Sequence, residues 1–289
     1  SWRGAGKVLL DTDDGSFWLT TRPRKAHPIR GYAVEIYRSE DGENFSLKSE
    51  LARESVGSIA NLTVNSIEGQ QLLRDPLTGK YHLYLSVDTP PRGWETLLLR
   101  SEDPTGPWNA EGVVLSRDAA YDSLEARDAT IDLIDGRYFA MYKANDGRSV
   151  RMALAISRDG IVWEKHGVLK LDGMPQPDYL LLCGKIFPGT RGPVFIGSEG
   201  KTVIESASVT DTLTSYRLDY PNLNLERLFS GRWEPLSPFE RNDYPIHSYV
   251  DMVYDTSRER LLIYIEAIDP GGLGLNKEVD RVLLYEVPV

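Results

Sequence analysis

The feature that most restricts this chain is an internal repeat. Ser66-Ile67-Glu68, followed by Gly79-Lys80-Tyr81, reappears without a gap as Ser123-Leu124-Glu125, followed by Gly136-Arg137-Tyr138. A second marker, Ser-x-Asp-Gly closed by an aromatic residue, stands at Ser39-Glu40-Asp41-Gly42 with Phe45 and at Ser157-Arg158-Asp159-Gly160 with Trp163. Ser101-Glu102-Asp103-Pro104 with Trp108 is a variant of it. The markers return roughly every 55–60 residues, and such a unit buries its apolar face only by stacking on its neighbours.

Inside each unit the local reading is β. Residues 80–86 and 137–143 are short aromatic and apolar runs behind turn signals. Asp14-Gly15, Thr78-Gly79 and Asp135-Gly136 supply tight turns, and residues 31–37 and 149–155 read as third strands. No segment sustains the 3.6-residue apolar period of a helix, so helices should be few. Strand, turn, strand, loop, strand, Ser-x-Asp-Gly turn is the order of a propeller blade. The expected fold is all-β, a single five-bladed β-propeller domain over residues 1–289. Its units fall at about residues 5–55, 58–115, 120–170, 177–232 and 244–289. The fourth matches least well. The fifth ends soon after its third strand, so the ring is expected to close by pairing the two chain ends.

Composition narrows the partners. A net charge of −10 repels phosphate backbones and argues against nucleic acid, while leaving neutral sugars open. No run of about 18 apolar residues is present, so no membrane span is expected. Ser1-Trp2-Arg3-Gly4 lacks the apolar core of a signal peptide, and a cytoplasmic location is the expectation. Cys183 is the sole cysteine, which excludes an internal disulfide and a cysteine-based zinc site. Asn61-Leu62-Thr63 fits a glycosylation sequon and is read as chance.

Blade topology predicts where a site would lie. The start of a blade's first strand and the end of its second share one face. Aligning the units on their hairpin turns puts Arg22, Ser86, Lys143, Glu199 and Glu266 at one position, just past the second strand. The first strands contribute Glu68, Glu125, Asp128, His247 and Asp251, with Glu68 matched to Glu125 and Asp128 to Asp251. Ionisable groups on apolar inner strands are costly unless paired or used. Plainer readings stand beside this one. Glu68 and Glu125 could accept backbone amides, Asp128 could pair with Arg127, His247 could be a core histidine, and Arg22 and Arg24 could belong to a solvated loop. Asp75, Asp41, Asp103 and Asp159 are read as turn residues. A calcium ion on the axis is open, although no calcium-loop motif exists.

Two segments resemble the five-bladed propeller glycosidases, which include family 43 arabinanases and xylosidases, family 32 invertases and family 130 mannoside phosphorylases. Residues 121–130, followed by Asp135-Gly136-Arg137-Tyr138, are similar to that superfamily's Arg-Asp-Pro segment, with Ala129 in place of the proline. Ser66-Ile67-Glu68-Gly69 resembles its Glu-Gly element. The resemblance implies that Asp128 orients the sugar and tunes an acid, and that Glu68, or Glu125, donates the proton. The usual base on the first strand of the first blade has no counterpart, since that strand offers Lys7, Val8, Leu9 and Leu10, and Asp251 stands in for it. Such chemistry needs one protonated and one ionised carboxyl, and inversion is expected. Arg127 and Lys143 would lower neighbouring carboxyls while crowding raises others. Trp2, Trp94 and Tyr142 are candidate stacking platforms. The competing readings are a phosphorylase using Arg22, Arg24, Lys25, Arg30 and Lys143 for phosphate, a noncatalytic sugar-binding propeller, and a protein-interaction propeller.

Overall fold

The structure, a computed structural model, describes residues 2–26, 28–91, 93–200, 202–204, 207–210, 212–232, 246–247, 249–268 and 280–288. Five sets of antiparallel strands follow one another along the described chain as five blades, the second and third joined by a parallel pair between Glu125 and Trp94. Blade 1 is built from Trp2–Leu10, Phe17–Lys25, Ala33–Ser39 and Ser46–Ala52, with Arg30–Gly31 added on its second strand. Blade 2 runs Ser66–Arg74, Tyr81–Thr89, Gly93–Ser101 and Asn109–Leu115. Blade 3 runs Glu125–Ile134, Arg137–Asn145, Val150–Ser157 and Trp163–Val168. Blade 4 holds Leu181–Phe187, Val194–Gly200, Thr212–Asp219 and Asn224–Arg232. Blade 5 holds Val250–Asp255, Arg260–Ile268 and Asp280–Pro288.

The alternation of side chains explains why these sheets stack. Along Tyr81–Thr89, Leu83, Leu85 and Val87 enter the apolar cluster shared with blade 1, while Tyr84 enters the cluster shared with blade 3. Both faces of the blade are therefore buried, each against one neighbour. Five such clusters occupy the five interfaces, the last joining Val253, Leu262 and Tyr264 of blade 5 to Val8, Phe17 and Leu19 of blade 1. The first strand of each blade touches that of the next, from blade 1 through blade 5 and back to blade 1. The ring is closed.

Polar side chains pin the ring from within. Gln71 of blade 2 bonds both the amide and the carbonyl of Ile131 in blade 3. Asp132 accepts the Ile186 amide of blade 4 at 2.8 Å, and Asp251 accepts the Val8 amide of blade 1 at 2.7 Å. At the outer end, the Tyr84 hydroxyl donates to the Gly160 carbonyl of the blade 3 turn, and the Tyr264 hydroxyl donates likewise to Gly42 in blade 1. The two Ser-x-Asp-Gly turns are built alike, with the amides of Gly42 and Gly160 each donating to the turn serine at 2.9 Å.

Closure differs from the expected pairing of chain ends. Trp2–Leu10 pairs with Phe17–Lys25, and Asp280–Pro288 pairs with Arg260–Ile268, so packing and side-chain bonds join the seam. Among the described residues one short helix, Arg53–Ala60, links blades 1 and 2 with Val56 buried, and Asn61 ends it in the left-handed conformation. Among the described residues no helix is long and apolar enough to cross a membrane.

Candidate active site

Three first strands break their ladders at the same height: between Gly4 and Lys7, Glu68 and Gln71, and Arg127 and Thr130. Each break is a bulge that re-aims side chains at the end of an inner strand. The residues just before it pair with Arg22, Ser86 and Lys143, so these three second-strand residues share one place, as expected. Glu266 joins them, since it follows Tyr264 by two residues as Ser86 follows Tyr84.

The first-strand alignment needs correction. Arg74 pairs with Tyr81 across residues 75–80, whereas Leu133 pairs with the matching Tyr138 across only residues 134–137. The blade 2 turn is thus two residues longer. Glu68 consequently stands in the place of Arg127, not of Glu125. Asp128 lies inside its bulge, where Gly69 lies in blade 2. Asp251 pairs in register with Tyr264 and does not share Asp128's position.

Glu68 is the hub of the mouth. Its Oε1 accepts Arg30 Nη2 at 2.5 Å and lies 3.3 Å from Arg22 Nη1, and its Oε2 accepts Arg127 Nη1. Burial alone would raise its pKa, but the charges of Arg22, Arg127, Arg30 and Arg24 hold it well below the ordinary carboxylate range. Glu125 lies 3.1 Å from Lys143 Nζ and 3.2 Å from Arg127 Nη2. Burial again opposes ionisation, and Arg127 and Lys143 overcome it, leaving its pKa lowered. Both carboxylates anchor the cations of the mouth, an arrangement that favours their ionised form over the protonated form a proton donor needs.

Asp128 is built differently. It adopts φ +51°, the left-handed region that aspartate enters more readily than most non-glycine residues. Its amide donates to Ser86 Oγ at 2.9 Å, and its Oδ2 accepts the Tyr249 hydroxyl at 3.2 Å and lies 3.9 Å from Arg127 Nε. Its Oδ1 is buried without a hydrogen-bond partner. Tyr249 sits under the Arg22 guanidinium at 5.8 Å, and burial together with Asp128 pushes its hydroxyl pKa well up, so it stays a donor. From blade 5 the Glu266 carboxylate fills the space a Cβ on Gly4 of blade 1 would take, 2.6 Å from that point. Burial pushes the Cys183 thiol up to about 12, with Asp128 and Glu266 adding to the rise against Lys7 and Lys143.

Other expected site residues go elsewhere. Asp251 lies at the seam, with Oδ2 on the Val8 amide and Oδ1, buried without a hydrogen-bond partner, 3.8 Å from Lys7 Nζ. Glu199 is engaged within blade 4, where Arg227 binds it at 2.8 and 3.2 Å and Tyr216 donates to it. Arg24 is buried beside the Glu68 group. The His247 and Trp2 side chains lie outside the described residues. Trp94 carries the Arg127 guanidinium over one face of its ring at 4.3 Å, and the buried Tyr142 hydroxyl donates to Asp122 at 2.9 Å. Among the described residues no group of three His, Cys, Asp or Glu side chains could hold a metal ion. Sequence reasoning missed Tyr249 and the place of Arg30 on Glu68, and it read Gly69 only as part of a Glu-Gly pair, not as the glycine that faces Asp128. A Glu-Gly pair at a bulge was the one available signal.

Neither the known protein-family models nor the curated proteins match this sequence. Solved structures do match its fold. A thermostable family-43 glycoside hydrolase superposes with a TM-score of 0.72 at 15% identity, over 98% of this chain and 89% of the other. An N-acetylgalactosamine deacetylase from F. plautii, solved with blood group B trisaccharide, gives 0.68 at 14% identity over 99% and 89%. The β-1,2-mannobiose phosphorylase of Listeria innocua gives 0.61 at 14% identity over 98% and 88%. This chain shares the five-bladed propeller fold of these proteins.

Proposed function

We propose that the axial mouth binds a carbohydrate and breaks a glycosidic bond, with Asp128 and Glu266 as the carboxyl pair. Asp128 carries this reading. Its backbone amide is held by Ser86 in the left-handed region and its Oδ2 by Tyr249, while Oδ1 remains buried without a partner. An unusual backbone conformation at a polar residue whose carboxylate is left partly unsatisfied supports a functional role. A sugar hydroxyl would satisfy Oδ1 while Tyr249 steadies Oδ2. Glu266 approaches from blade 5 over Gly4, where a side chain on blade 1 would block it.

Hydrolysis needs one carboxyl to protonate the leaving oxygen and one to activate water; with about 6.5–9.5 Å between them the product anomer inverts. Glu68 and Glu125 hold Arg22, Arg30, Arg127 and Lys143 around the sugar in this scheme. The likeness to a family-43 glycoside hydrolase supports cleavage as the chemistry, and the likeness to a phosphorylase makes inorganic phosphate a necessary control.

The test is a screen of aryl-glycosides and oligosaccharides, with and without inorganic phosphate, using wild type, Asp128→Asn and Glu266→Gln. Losses on the order of 10²-fold or more in both variants are expected, as for removal of a general acid or base. Equal activity in Asp128→Asn rejects its assignment. Turnover only with phosphate makes the chain a phosphorylase, and binding without turnover makes it a noncatalytic sugar-binding propeller.

A further inference from the structure

The repeat supplies an internal comparison on the face away from the mouth. In blades 2 and 3 a groove lies at the same place, between the start of the second strand, the turn after the third strand and the fourth strand. Strand register matches the two grooves residue by residue. Tyr81 pairs with Ser101 as Tyr138 pairs with Ser157, so Lys80 corresponds to Arg137, Arg100 to Ile156 and Glu102 to Arg158. Both fourth strands bulge at the same step, which matches Glu111 with His166. Arg137 stands six residues along its strand from Lys143 of the mouth, about 20 Å away.

The side chains differ where the backbone does not. In blade 2 two ion pairs cross the groove, Lys80 with Glu102 and Arg100 with Glu111, each at 2.8 Å. In blade 3 Arg158 stands in place of Glu102, while Ile156 and His166 replace Arg100 and Glu111, so neither pair can form. The side chains of Arg137, Arg158, Glu164 and His166 make no ion pair or hydrogen bond among the described residues. The blade 3 groove is also the larger, about 630 Å³ against about 350 Å³, well within the size range of ligand pockets. One wall is Tyr220 of blade 4, whose ring is set edge-on against Phe139 at 5.5 Å. Ile156 and the exposed Val162 add to this apolar side.

We propose that the blade 3 groove is a second carbohydrate site, which holds a neutral glycan chain on the face opposite the mouth. Sugar hydroxyls both donate and accept, and the groove offers them free donors on Arg137 and Arg158 and free acceptors on Glu164. Its apolar side suits the C–H face of a sugar ring. Two arginines face two carboxylates, Asp159 and Glu164, so the lining gives an ionic ligand no net attraction. None of these residues belongs to the mouth, and the proposal goes beyond that reading.

The experiment is ¹H–¹³C NMR of histidine-labelled protein titrated with xylohexaose, mannohexaose, galactohexaose and hexagalacturonate. The chain has four histidines, and among the described residues His166 is the one that lines the groove, so its imidazole resonance reports on this site. At least one neutral hexasaccharide should move that resonance in a saturable way. Arg158→Glu, which installs the blade 2 charge pair with Arg137, should weaken this binding on the order of tenfold or more, and Tyr220→Ala should weaken it similarly, with thermal melts confirming both folds. A His166 resonance unmoved by every neutral hexasaccharide, a response that survives either substitution, or hexagalacturonate bound more tightly than galactohexaose would overturn the proposal. Cleavage of aryl-glycosides reads the mouth and should be equal in wild type and Arg158→Glu. Cleavage without a His166 response removes this proposal and leaves the proposed function standing; a His166 response without cleavage does the reverse.

Discussion

Replacing Gly69 with alanine tests how the mouth holds Asp128. Gly69 lies at φ +48°, and a Cβ there would stand 2.6 Å from both Asp128 Oδ1 and Ser86 Oγ, and 2.9 Å from Asp128 Cα. The left-handed conformation alone costs alanine about 1–2 kcal/mol. Relieving the contact requires Ser86 to move, which strips the Asp128 amide of its acceptor and adds about 1–3 kcal/mol for a buried donor left unpaired. The expected loss is about 2–5 kcal/mol. Gly79→Ala supplies the reference, because Gly79 has φ +72° but nothing nearer to its missing Cβ than Arg74 Nη2 at 3.8 Å. Urea titration should therefore show Gly69→Ala clearly below Gly79→Ala, and only Gly69→Ala should lose glycan binding. Equal destabilisation of the two, or unchanged binding by Gly69→Ala, would refute the claim that this glycine makes room for the Asp128 carboxylate.

Three further outcomes follow from the same contacts. Tyr264→Phe removes the bond to Gly42 at the seam and should cost about 1 kcal/mol in urea, matching Tyr84→Phe at the blade 2–3 joint; no effect of Tyr264→Phe would mean the seam is not held as the other joint is. Glu68→Gln leaves three guanidiniums without their carboxylate and should cost about 3–5 kcal/mol at neutral pH, a loss below about 1 kcal/mol contradicting its role as hub. His82 is lowered to about 4, chiefly by burial and then by Arg100, so the unfolded chain binds the extra proton; stability should be complete above about 6.5 and fall as pH drops toward 4. His82→Gln should flatten that part of a stability–pH curve, and an unaltered curve would exclude His82 as its source.

The architecture was readable from sequence because its signals are local. The paired Ser-x-Asp-Gly turns, whose aspartates bind the backbone amides just after them, mark equivalent places in blades 1 and 3 without any knowledge of packing. The second-strand positions followed, since Tyr81 and Tyr138 keep a fixed distance to Ser86 and Lys143. First-strand positions did not, because two extra residues in the 75–80 turn shift the count and nothing in the composition betrays a bulge. The state of Glu68 was hidden for another reason. Its partners Arg22, Arg30 and Arg127 come from blades 1 and 3, so only the closed ring brings them together. Asp251 and Glu199 look like site residues in sequence, but a backbone amide holds one oxygen of Asp251 and an arginine binds Glu199, neither partner visible as such beforehand.

The Glu68 hub has a consequence for how this protein fails. One carboxylate from blade 2 is fastened to two arginines of blade 1 and one of blade 3, so the lining of the mouth and the first two joints of the ring share a bolt. Loosening it by acid or heat slackens the wall of the cavity and the seams between blades in a single event. Ligand capture and tertiary structure should accordingly vanish at a common midpoint, with no stage in which an intact propeller carries a ruined mouth.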